Sequence, residues 1–353
     1  MPTIVLTPNL TGRDGISRLA RLMVRSRHAE RVIALHESSA SERFEDAAVH
    51  GAGGVPARLA ALALQQAARV APDTTVILVH IHLAPAALVF AARGVPIVTM
   101  LCGIESWNPL TWPQRAAVQR SRQVLAISEH TRRRFTAANL RAAEREISVC
   151  HLGIEADALA TPLNGHPTVL ILGRMASDER YKGHDALLET WPEVVRTLPT
   201  ARLEIAGDGD DRARLEAKSI ALGVDGSVDF LGAVTDDERE RCFERCTAFA
   251  MPSRDEGFGF VFLEAMRAGR ACIAMEGSAS EIIDHAHTGL VLPRDANRSE
   301  LARAILSLLG DPSRASAMGR RGRDRFLSTF TAAHFDERLS GLLERAGLVG
   351  TPA

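Results

Sequence analysis

Two carboxylates, Glu256 and Glu264, stand eight residues apart in the segment EGFGFVFLE, on either side of a glycine-punctuated turn. The segment follows an apolar strand predicted at 247–251 and opens a predicted helix. Its two glycines permit unusual backbone angles and close approach of the chain to a ligand. Amides at a helix start bind anions, and carboxylates bind hydroxyl groups. The segment therefore predicts a site for a polyhydroxylated, anionic ligand such as a nucleotide sugar.

The position of the helix start determines where Glu256 and Glu264 lie relative to a bound ligand. If the helix begins near Gly259, the amides of Phe260 and Val261 have no helical partners and are available to an anion. Glu264 then lies about one and a half turns into the helix, so that Glu256 and Glu264 serve different ends of an extended ligand. A simpler interpretation stays open, in which the glutamates form an acidic first turn above a buried apolar face.

A second constellation, Arg174 and Lys182, lies in the segment GRMASDERYKG. Only two of the 42 basic residues are lysines, so a lysine directly before a glycine and a predicted helix is unusual for this chain. Arginine offers a bidentate fork and lysine a point charge, a pairing suited to a diphosphate. A solvated loop with capping charges is the alternative.

The composition is that of a globular protein with two domains. At 353 residues the chain exceeds what one core usually supports. The net charge of −1 gives no argument for nucleic acid. Five cysteines without metal or disulfide spacing predict ordinary thiols and no metal site. No apolar run is long enough to span a bilayer and no signal-peptide pattern precedes the first strand, so we expect a cytoplasmic protein.

The charge is uneven, which raises the question of a membrane surface. Residues 1–160 hold 18 Arg and no Lys against 13 Asp and Glu, a surplus of +5. The predicted helix 16–27 combines an apolar stripe with arginines, including Arg21 and Arg25. One interpretation is a stripe packed on a sheet with solvated arginines; the other is peripheral contact of the basic half with an anionic inner membrane surface.

Short apolar strands alternate with helical patterns along the chain, six strands in each half. The predicted strands are 3–7, 31–36, 75–81, 95–101, 123–127, 146–150, 168–172, 202–206, 227–231, 247–251, 271–275 and 289–292. The predicted helices include 16–27, 56–70, 113–120, 129–143, 183–197, 210–222 and 259–268. This alternation predicts two doubly wound parallel-sheet α/β domains, 1–162 and 163–330, with a helix at about 331–347 packing back on the first. Polar and glycine residues follow the strands, which predicts an interdomain cleft between two sheet edges.

Together these residues resemble the retaining glycosyltransferases of family 4, which have the GT-B fold. The segments that carry the resemblance are GR at 173–174, KG at 182–183, LEIAGDG at 203–209, VDFLG at 228–232, PSRDEGFG at 252–259, LEAM at 263–266, EII at 281–283 and TG at 288–289. In the N-terminal half the best matches are ISEHTRR at 127–133 and HLGIE at 151–155.

The resemblance implies a role for each site residue. Glu264 would bind the ribose, and Glu256 would bind the transferred sugar and act in catalysis. The remaining donor residues would be Phe258 and Gly259 at sugar hydroxyls; Phe260, Val261, Arg174 and Lys182 at the diphosphate; and Val234 beside the base. Gly12 and Gly15 match the family's nucleotide-binding glycine loop loosely, because Arg13 and Asp14 separate the usual adjacent pair.

One departure concerns the acceptor side. Many relatives carry a histidine in the slot occupied here by Cys102, and a thiol cannot reproduce the hydrogen bonding of imidazole. The acceptor-side candidates are therefore His82, Cys102 and Glu105, and the base that assists the acceptor is open between His82, Glu105 and the departing phosphate.

The predicted function is hexosyl transfer with retention from a UDP- or GDP-sugar to the hydroxyl of a sugar or lipid-linked sugar. Similar enzymes need neither metal nor cofactor, because cationic side chains and a helix N-terminus neutralise the leaving diphosphate. The alternatives are a GT-B epimerase or hydrolase that acts on the nucleotide sugar alone, and a nucleotide-sugar-binding protein without turnover.

Overall fold

A computed structural model describes residues 2–38, 42–71, 73–140, 144–157, 163 and 166–348 of the protein. The chain divides into two compact units, which we call unit 1 (Met1–Gly153 with Ala332–Ala353) and unit 2 (Ile154–Thr331). The division falls nine residues before the predicted boundary at 162/163. Apart from residue 163, the residues at that predicted boundary lie outside the described ranges.

Unit 1 is built on one sheet, with eight strands in its described residues. The order is β3-β4-β2-β1-β5-β6-β7-β8. The elements are β1 (Thr3–Thr7), α1 (Gly15–Ser26), β2 (Arg31–Ala34), β3 (Glu42–Phe44), β4 (Ala47–Gly51), α2 (Pro56–Ala67), β5 (Thr75–Leu78), α3 (Ala84–Ala91), β6 (Ile97–Leu101), α4 (Trp112–Arg120), β7 (Gln123–Ala126), α5 (Glu129–Ala138) and β8 (Ile147–Val149). Strands β1, β5 and β6 are buried along their whole length, as helices on both faces of a parallel sheet require.

The prediction of six strands in the first half is wrong, because β3 and β4 were not anticipated. They form an antiparallel pair at one edge of an otherwise parallel sheet. Strand β3 is short and polar, and Glu45 closes the turn with a positive φ of 52°. Neither strand shows the β-branched alternation that identifies a strand in sequence. The predicted helix 129–143 ends at Ala138, and its last three residues lie outside the described part of the chain.

Unit 2 carries a six-stranded, fully parallel sheet within its described residues, in the order β11-β10-β9-β12-β13-β14. The elements are β9 (Thr168–Leu172), α6 (His184–Thr197), β10 (Arg202–Ala206), α7 (Arg212–Ala221), β11 (Val228–Gly232), α8 (Asp236–Arg245), β12 (Ala248–Met251), α9 (Phe260–Arg267), β13 (Ala271–Met275), α10 (Ala279–Ile282), β14 (Gly289–Leu292), α11 (Arg298–Leu309) and α12 (Pro312–Thr329). From β9 the chain adds β10 and β11 on one side of the sheet, and it then adds β12, β13 and β14 on the other side. The point between β9 and β12 is therefore a topological switch point, where doubly wound sheets bind their ligands.

The last helix, α13 (Ala332–Arg345), returns to unit 1. The Asp336 carboxylate accepts a hydrogen bond from Ser26 at the end of α1, and Arg338 donates to the carbonyl of His151. In the described residues, no helix is long and apolar enough to cross a membrane.

Candidate functional site

The start of α9 requires glycine. Gly259 has φ 101°, and a Cβ there would stand 2.7 Å from the ring of Phe262. The N-cap residue Gly259 has no side chain with which to cap the first turn of the helix. The amides of Phe260 and Val261, both partly exposed residues, therefore begin α9 just beyond the carboxyl end of β12. This is the predicted geometry for an anion at a helix N-terminus.

Glu256 lies in the loop that leads to this terminus. Its carboxylate is hydrogen-bonded to the backbone amides of Gly257 and Phe258, and its carbonyl accepts a 2.8 Å hydrogen bond from Ser278. Burial raises the pKa of Glu256, while the charge of Lys182 acts in the opposite direction. Phe258, which belongs to the same loop, is buried and anchors the loop in unit 2.

Arg174 and Lys182 are brought together by an acid that the sequence did not single out, Glu179. Arg174 Nε donates to Glu179 Oε2 over 3.1 Å, and Lys182 Nζ lies 2.8 Å from the same oxygen. Burial alone would raise the pKa of Glu179, but hydrogen bonds from the two cations hold it below its ordinary value. Two cations share one carboxylate, so these three side chains carry a net charge of +1, beside the carboxylate of Glu256.

Two glycines allow the loop that carries Arg174 and Lys182 to pack closely at the switch point. Gly183 has φ 97°, and a Cβ there would lie 2.7 Å from the carbonyl oxygen of Pro252. The loop that ends in Lys182 therefore touches the loop that follows β12 and carries Glu256. A Cβ on Gly173 would meet the Lys182 side chain at 3.5 Å, which places this glycine under the lysine.

A buried histidine lies directly behind the lysine. His184 begins α6, and no hydrogen-bond partner reaches its Nε2 from the described residues. Burial, with a contribution from the charge of Lys182, lowers the pKa of His184 to about 4. The imidazole is therefore neutral at pH 7 and adds no charge to the cluster.

Glu264 is buried and pairs with a residue of α8. Its side chain is only 2% exposed, and Arg239 Nε lies 3.3 Å from Oε1. Arg239 belongs to α8, which starts with a capping box between Thr235 and Glu238 directly after Val234. Glu264 is thus linked to α8, whose start immediately follows the loop predicted to flank the base.

Ion pairs of Asp211 hold the loop between β9 and α6 in place from behind. Asp211 precedes α7 and is nearly buried, and it accepts 2.8 Å and 3.1 Å hydrogen bonds from Arg180. Arg214 joins Asp211 to Asp185 near the start of α6. Arg180 stands two residues before Lys182, so these contacts restrain the loop that presents the lysine.

In unit 1 the predicted glycine loop precedes a helix that already has a cap. Asp14 accepts from the amides of Ile16 and Ser17 at 2.9 Å and 3.0 Å. Burial would raise the pKa of Asp14, but the hydrogen bonds from Ser17 and the amides lower it. The carboxylate occupies the place that a phosphate would take at the start of α1. The assignment of Gly12 and Gly15 to the diphosphate stays a prediction, and this cap argues against it.

The basic helix α1 uses its charged residues in contacts within unit 1. Arg21 Nη1 donates to the carbonyls of Leu10 and Gly12, and Arg25 Nε lies 2.9 Å from Glu45. The interpretation of arginines that are simply solvated does not hold for Arg21. Of the predicted apolar stripe, Leu19, Ala20 and Met23 are buried and Ile16 is partly exposed.

The acceptor-side candidates lie near one another at the ends of β5 and β6. Cys102 is buried and donates to the carbonyl of Val79 over 3.0 Å; burial, and secondarily Glu105, raises the pKa of its thiol well above the ordinary value. Glu105 Oε1 accepts from the amides of Cys102 and Gly103 at 2.9 Å and 3.1 Å.

The strand predicted at 75–81 ends earlier, at Leu78, so neither His80 nor His82 lies on a strand. His80 caps a 3₁₀ turn, Ile81–Leu83, that contains His82, and their ring centroids lie 4.8 Å apart. Burial, and then His82, lowers the pKa of His80 to about 4. His82 is the exposed member of the pair.

No group of three or more His, Cys, Asp or Glu side chains in the described residues is arranged to hold a metal ion. All five cysteines are free and buried. Independence of metal stays a prediction.

Sequence reasoning missed Glu179 and Arg239. Glu179 lies between Arg174 and Lys182 in the sequence and pairs with both. An acid between two cations was a signal that the sequence offered. Arg239 left no such signal, because it belongs to a different helix, α8, and meets Glu264 of α9 only in the folded protein.

Comparison with known proteins matches the second unit most directly. Residues 166–311 match the family described as Glycosyl transferases group 1. A GDP-mannose-dependent alpha-(1-6)-phosphatidylinositol monomannoside mannosyltransferase of Mycobacterium tuberculosis is 35% identical over 222 residues, 57% of this chain and 56% of the relative. An alpha-D-kanosaminyltransferase of Streptomyces kanamyceticus is 26% identical over 250 residues, 67% of this chain and 64% of the relative. The chain spans little more than half the length of the first of these relatives.

Solved structures extend the likeness to both units. HepE of Anabaena, crystallised with UDP, matches with a TM-score of 0.80 at 19% identity over 98% of this chain and 100% of its own. Sucrose-phosphate synthase of Thermosynechococcus elongatus matches with a TM-score of 0.77 at 16% identity, over 98% of this chain and 99% of its own. The resemblance predicted from the sequence is confirmed: residues 166–311 carry the glycosyl transferases group 1 domain, and both units share the GT-B fold of the solved glycosyltransferases.

Proposed function

We propose that the protein transfers a hexosyl group, with retention, from a nucleoside-diphosphate sugar to an acceptor hydroxyl. The observation that carries the proposal is the pairing of Arg174 and Lys182 at Glu179, against the loop that presents Glu256 and the start of α9. These groups supply two cations, the first amides of a helix and a carboxylate within one part of unit 2. A diphosphate and a sugar need that combination.

The charges account for how the donor is held and how it departs. A diphosphate bearing about two negative charges competes with Glu179 for Arg174 and Lys182, and it also gains the first amides of α9. When the bond between the sugar C1 and the phosphate oxygen breaks, charge grows on that oxygen. The fixed cations stabilise this growing charge without further rearrangement. They can do so without a divalent metal ion, which is why we propose metal-independent transfer.

The carboxylates take separate roles in this proposal. Glu264, buried at the α8 corner, accepts hydrogen bonds from the ribose hydroxyls, and Glu256 accepts them from the transferred sugar. The new bond joins the acceptor oxygen to C1 on the face that the phosphate leaves. In this proposal the departing phosphate oxygen accepts the acceptor proton: the pKa of Cys102 is raised, Glu105 is engaged with two backbone amides, and the exposed His82 is the alternative base.

The test is a donor panel with product analysis. GDP-mannose is the first donor to try, because four of the curated relatives are named for its use, and UDP-glucose is the second. Glycoside formation with the donor's anomeric configuration, undiminished by EDTA, supports the proposal. Epimerised or hydrolysed donor would indicate action without an acceptor. Tight binding without turnover across a broad acceptor panel would indicate a binding protein.

We further propose a lipid-linked acceptor reached from an anionic membrane surface. The support is the +5 surplus of residues 1–160 and the lipid named in the first relatives. Each arginine near an anionic leaflet adds about 1 kcal/mol, screened by salt. Vesicle co-sedimentation should require anionic lipid and fall in an Arg13→Glu/Arg25→Glu variant. Arg21 is unsuitable for this test because it holds the loop after β1. Equal sedimentation with neutral and anionic vesicles at low salt would remove the membrane proposal.

A further inference from the structure

Unit 2 contains a pocket of about 700 Å³ whose lining includes none of the residues assigned to the nucleotide sugar. This volume is within the range of small-molecule sites. Its walls come from α6, the loop after β12, the end of β13 and the start of α11. The pocket therefore borders the loop that carries Glu256 from the side of α6 and α11.

The charged lining of this pocket has an excess of arginine. Arg254, Arg298 and Arg303 face a single carboxylate, Glu189. That carboxylate is already paired with Arg298 at 2.7 Å and also with Lys218. In the described part of unit 2, the side chains of Arg254 and Arg303 make no hydrogen bond or ion pair, and both are exposed. Two guanidinium groups are thus available to an anion.

A buried hydroxyl in the wall of the pocket is also unsatisfied. Thr190 is only 1% exposed, and its Oγ1 has no hydrogen-bond partner among the described residues. A threonine inside a helix ordinarily bonds the carbonyl one turn earlier, and a buried polar group without a partner costs free energy. An oxygen-bearing ligand in the pocket would remove that cost.

The start of α11 supplies backbone donors to the same space. Asn297 and Glu300 form a capping box that uses their two amides. The amides of Arg298 and Ser299 are the remaining donors of the first turn, and both residues line the pocket. An anion would meet these amides together with the guanidinium groups.

We propose that this pocket is a second ligand site for a small phosphate-bearing molecule. Arg254 and Arg303 hold the phosphate as paired forks, the first turn of α11 donates to it, and the Thr190 hydroxyl bonds the ligand. Arg254 stands two residues before Glu256, so a ligand here contacts the loop of the donor site from behind. The proposal is independent of the proposed function, since it requires only the binding of an anion.

The test is calorimetric titration of the full chain with inorganic phosphate and with glycerol 3-phosphate, glycerol being the uncharged control. We expect an Arg254→Gln/Arg303→Gln variant to bind at least tenfold more weakly. An Arg196→Gln/Arg314→Gln variant carries the same charge change on exposed arginines outside the pocket and should bind as the wild type does. Tighter binding of glycerol 3-phosphate than of phosphate would identify a phosphate monoester as the ligand, and equal binding would identify the free anion.

Two further variants make the assignment falsifiable. Binding should survive Lys182→Ala, which removes a predicted diphosphate contact. Binding that is lost in Lys182→Ala and kept in Arg254→Gln/Arg303→Gln would place the anion in the donor site and overturn the proposal, as would the absence of binding by the wild type. Thr190→Val should raise the melting temperature of the free protein and lower its affinity for the ligand. Unchanged affinity in that variant would overturn the role of the hydroxyl.

Discussion

The carboxyl-end edges of the two sheets use their acids differently. In unit 1, Asp14, Glu37 and Glu105 each accept hydrogen bonds from two backbone amides of nearby loops or helix starts. In unit 2, Glu256 also accepts from two backbone amides, those of Gly257 and Phe258, but Glu179 accepts from two cationic side chains, and the N-cap residue of α9 is a glycine without a capping side chain.

This difference indicates where a diphosphate would bind. A helix start filled by a carboxylate of the same chain offers an incoming anion repulsion in place of free donors. A helix start with glycine at its N-cap, beside two cations that share one acid, offers attraction from the helix dipole and from the cations. The pattern of hydrogen bonds therefore favours unit 2 over the glycine loop of unit 1 as the diphosphate site, although both have glycine between a strand and a helix.

Lys182→Ala should have the largest effect. Loss of a group that stabilises charge in the transition state costs about 2–4 kcal/mol, or roughly 30- to 1,000-fold in kcat/KM. The control is Lys218→Ala, the other lysine of the chain, which pairs with Asp185 and Glu189 on the α6 side of unit 2. Its kcat/KM should stay within about twofold of the wild-type value. Equal losses in both variants would break the comparison, because the effect would then be one of net charge.

The low pKa of His184 predicts a loss of stability in acid. A histidine with a folded pKa of about 4, below an unfolded value of about 6.5, is neutral when folded and binds a proton on unfolding. The contribution is present above pH 6.5 and falls away as the pH drops to 4, by on the order of 3 kcal/mol. His184→Gln should not show this part of the loss. Urea unfolding followed by Trp191 fluorescence, in a background with Trp107 and Trp112 replaced by Phe, reports unit 2. Parallel pH curves for the two proteins would contradict the prediction.

The two carboxylates of the donor segment should separate affinity from turnover. Glu264→Ala removes hydrogen bonds between a charged group and ribose, worth about 1.5–3 kcal/mol, so a nucleoside diphosphate should bind roughly 10- to 100-fold more weakly. Glu256→Ala should chiefly lower kcat and leave nucleotide affinity within about threefold. Calorimetry gives the first quantity and steady-state kinetics the second. Wild-type nucleotide affinity in a folded Glu264→Ala protein would refute the assignment.

Removing the cap of α1 tests the other side of the comparison. Asp14→Ala should lower the free energy of unfolding by about 1 kcal/mol, the usual contribution of an N-cap. Donor affinity should stay within about twofold, because no phosphate occupies this helix start. A clear gain in donor affinity would show that the Asp14 charge had been opposing a phosphate near Gly12 and Gly15, and the comparison would fail.

The alternation of apolar strands and helices was sufficient to predict most of the fold. Strands β9, β10, β13 and β14 have their predicted bounds, because short apolar runs, or in β10 an apolar alternation, lie between turn residues that mark their ends. The β3–β4 pair escaped prediction because β3 is short and polar and β4 has only one β-branched residue. At His80 the prediction extended a strand where the chain turns, since a histidine side chain can cap a 3₁₀ turn and the sequence does not announce it.

The candidate site was predictable where neighbours in sequence do the work. Gly259 and the start of α9 follow from local backbone chemistry, and so does the position of Lys182 before Gly183. The contact between Gly183 and Pro252 and the pairing of Arg239 with Glu264 depend on how separate strands and helices are arranged. No periodicity records such contacts, because they join segments many residues apart.

Cys102→Ala should have the smallest effect on catalysis. The thiol is buried, its raised pKa keeps it protonated at neutral pH, and its hydrogen goes to the carbonyl of Val79. Losing that hydrogen bond should cost about 1 kcal/mol in stability and change kcat by less than about threefold.

A His82→Gln variant, measured beside Cys102→Ala, tests the exposed imidazole in the same region. It should also remain active if the departing phosphate accepts the acceptor proton. A hundredfold loss of kcat in Cys102→Ala, with an unchanged melting profile, would place the thiol in the chemistry; the same loss in His82→Gln alone would identify His82 as the base and assign the proton transfer to unit 1.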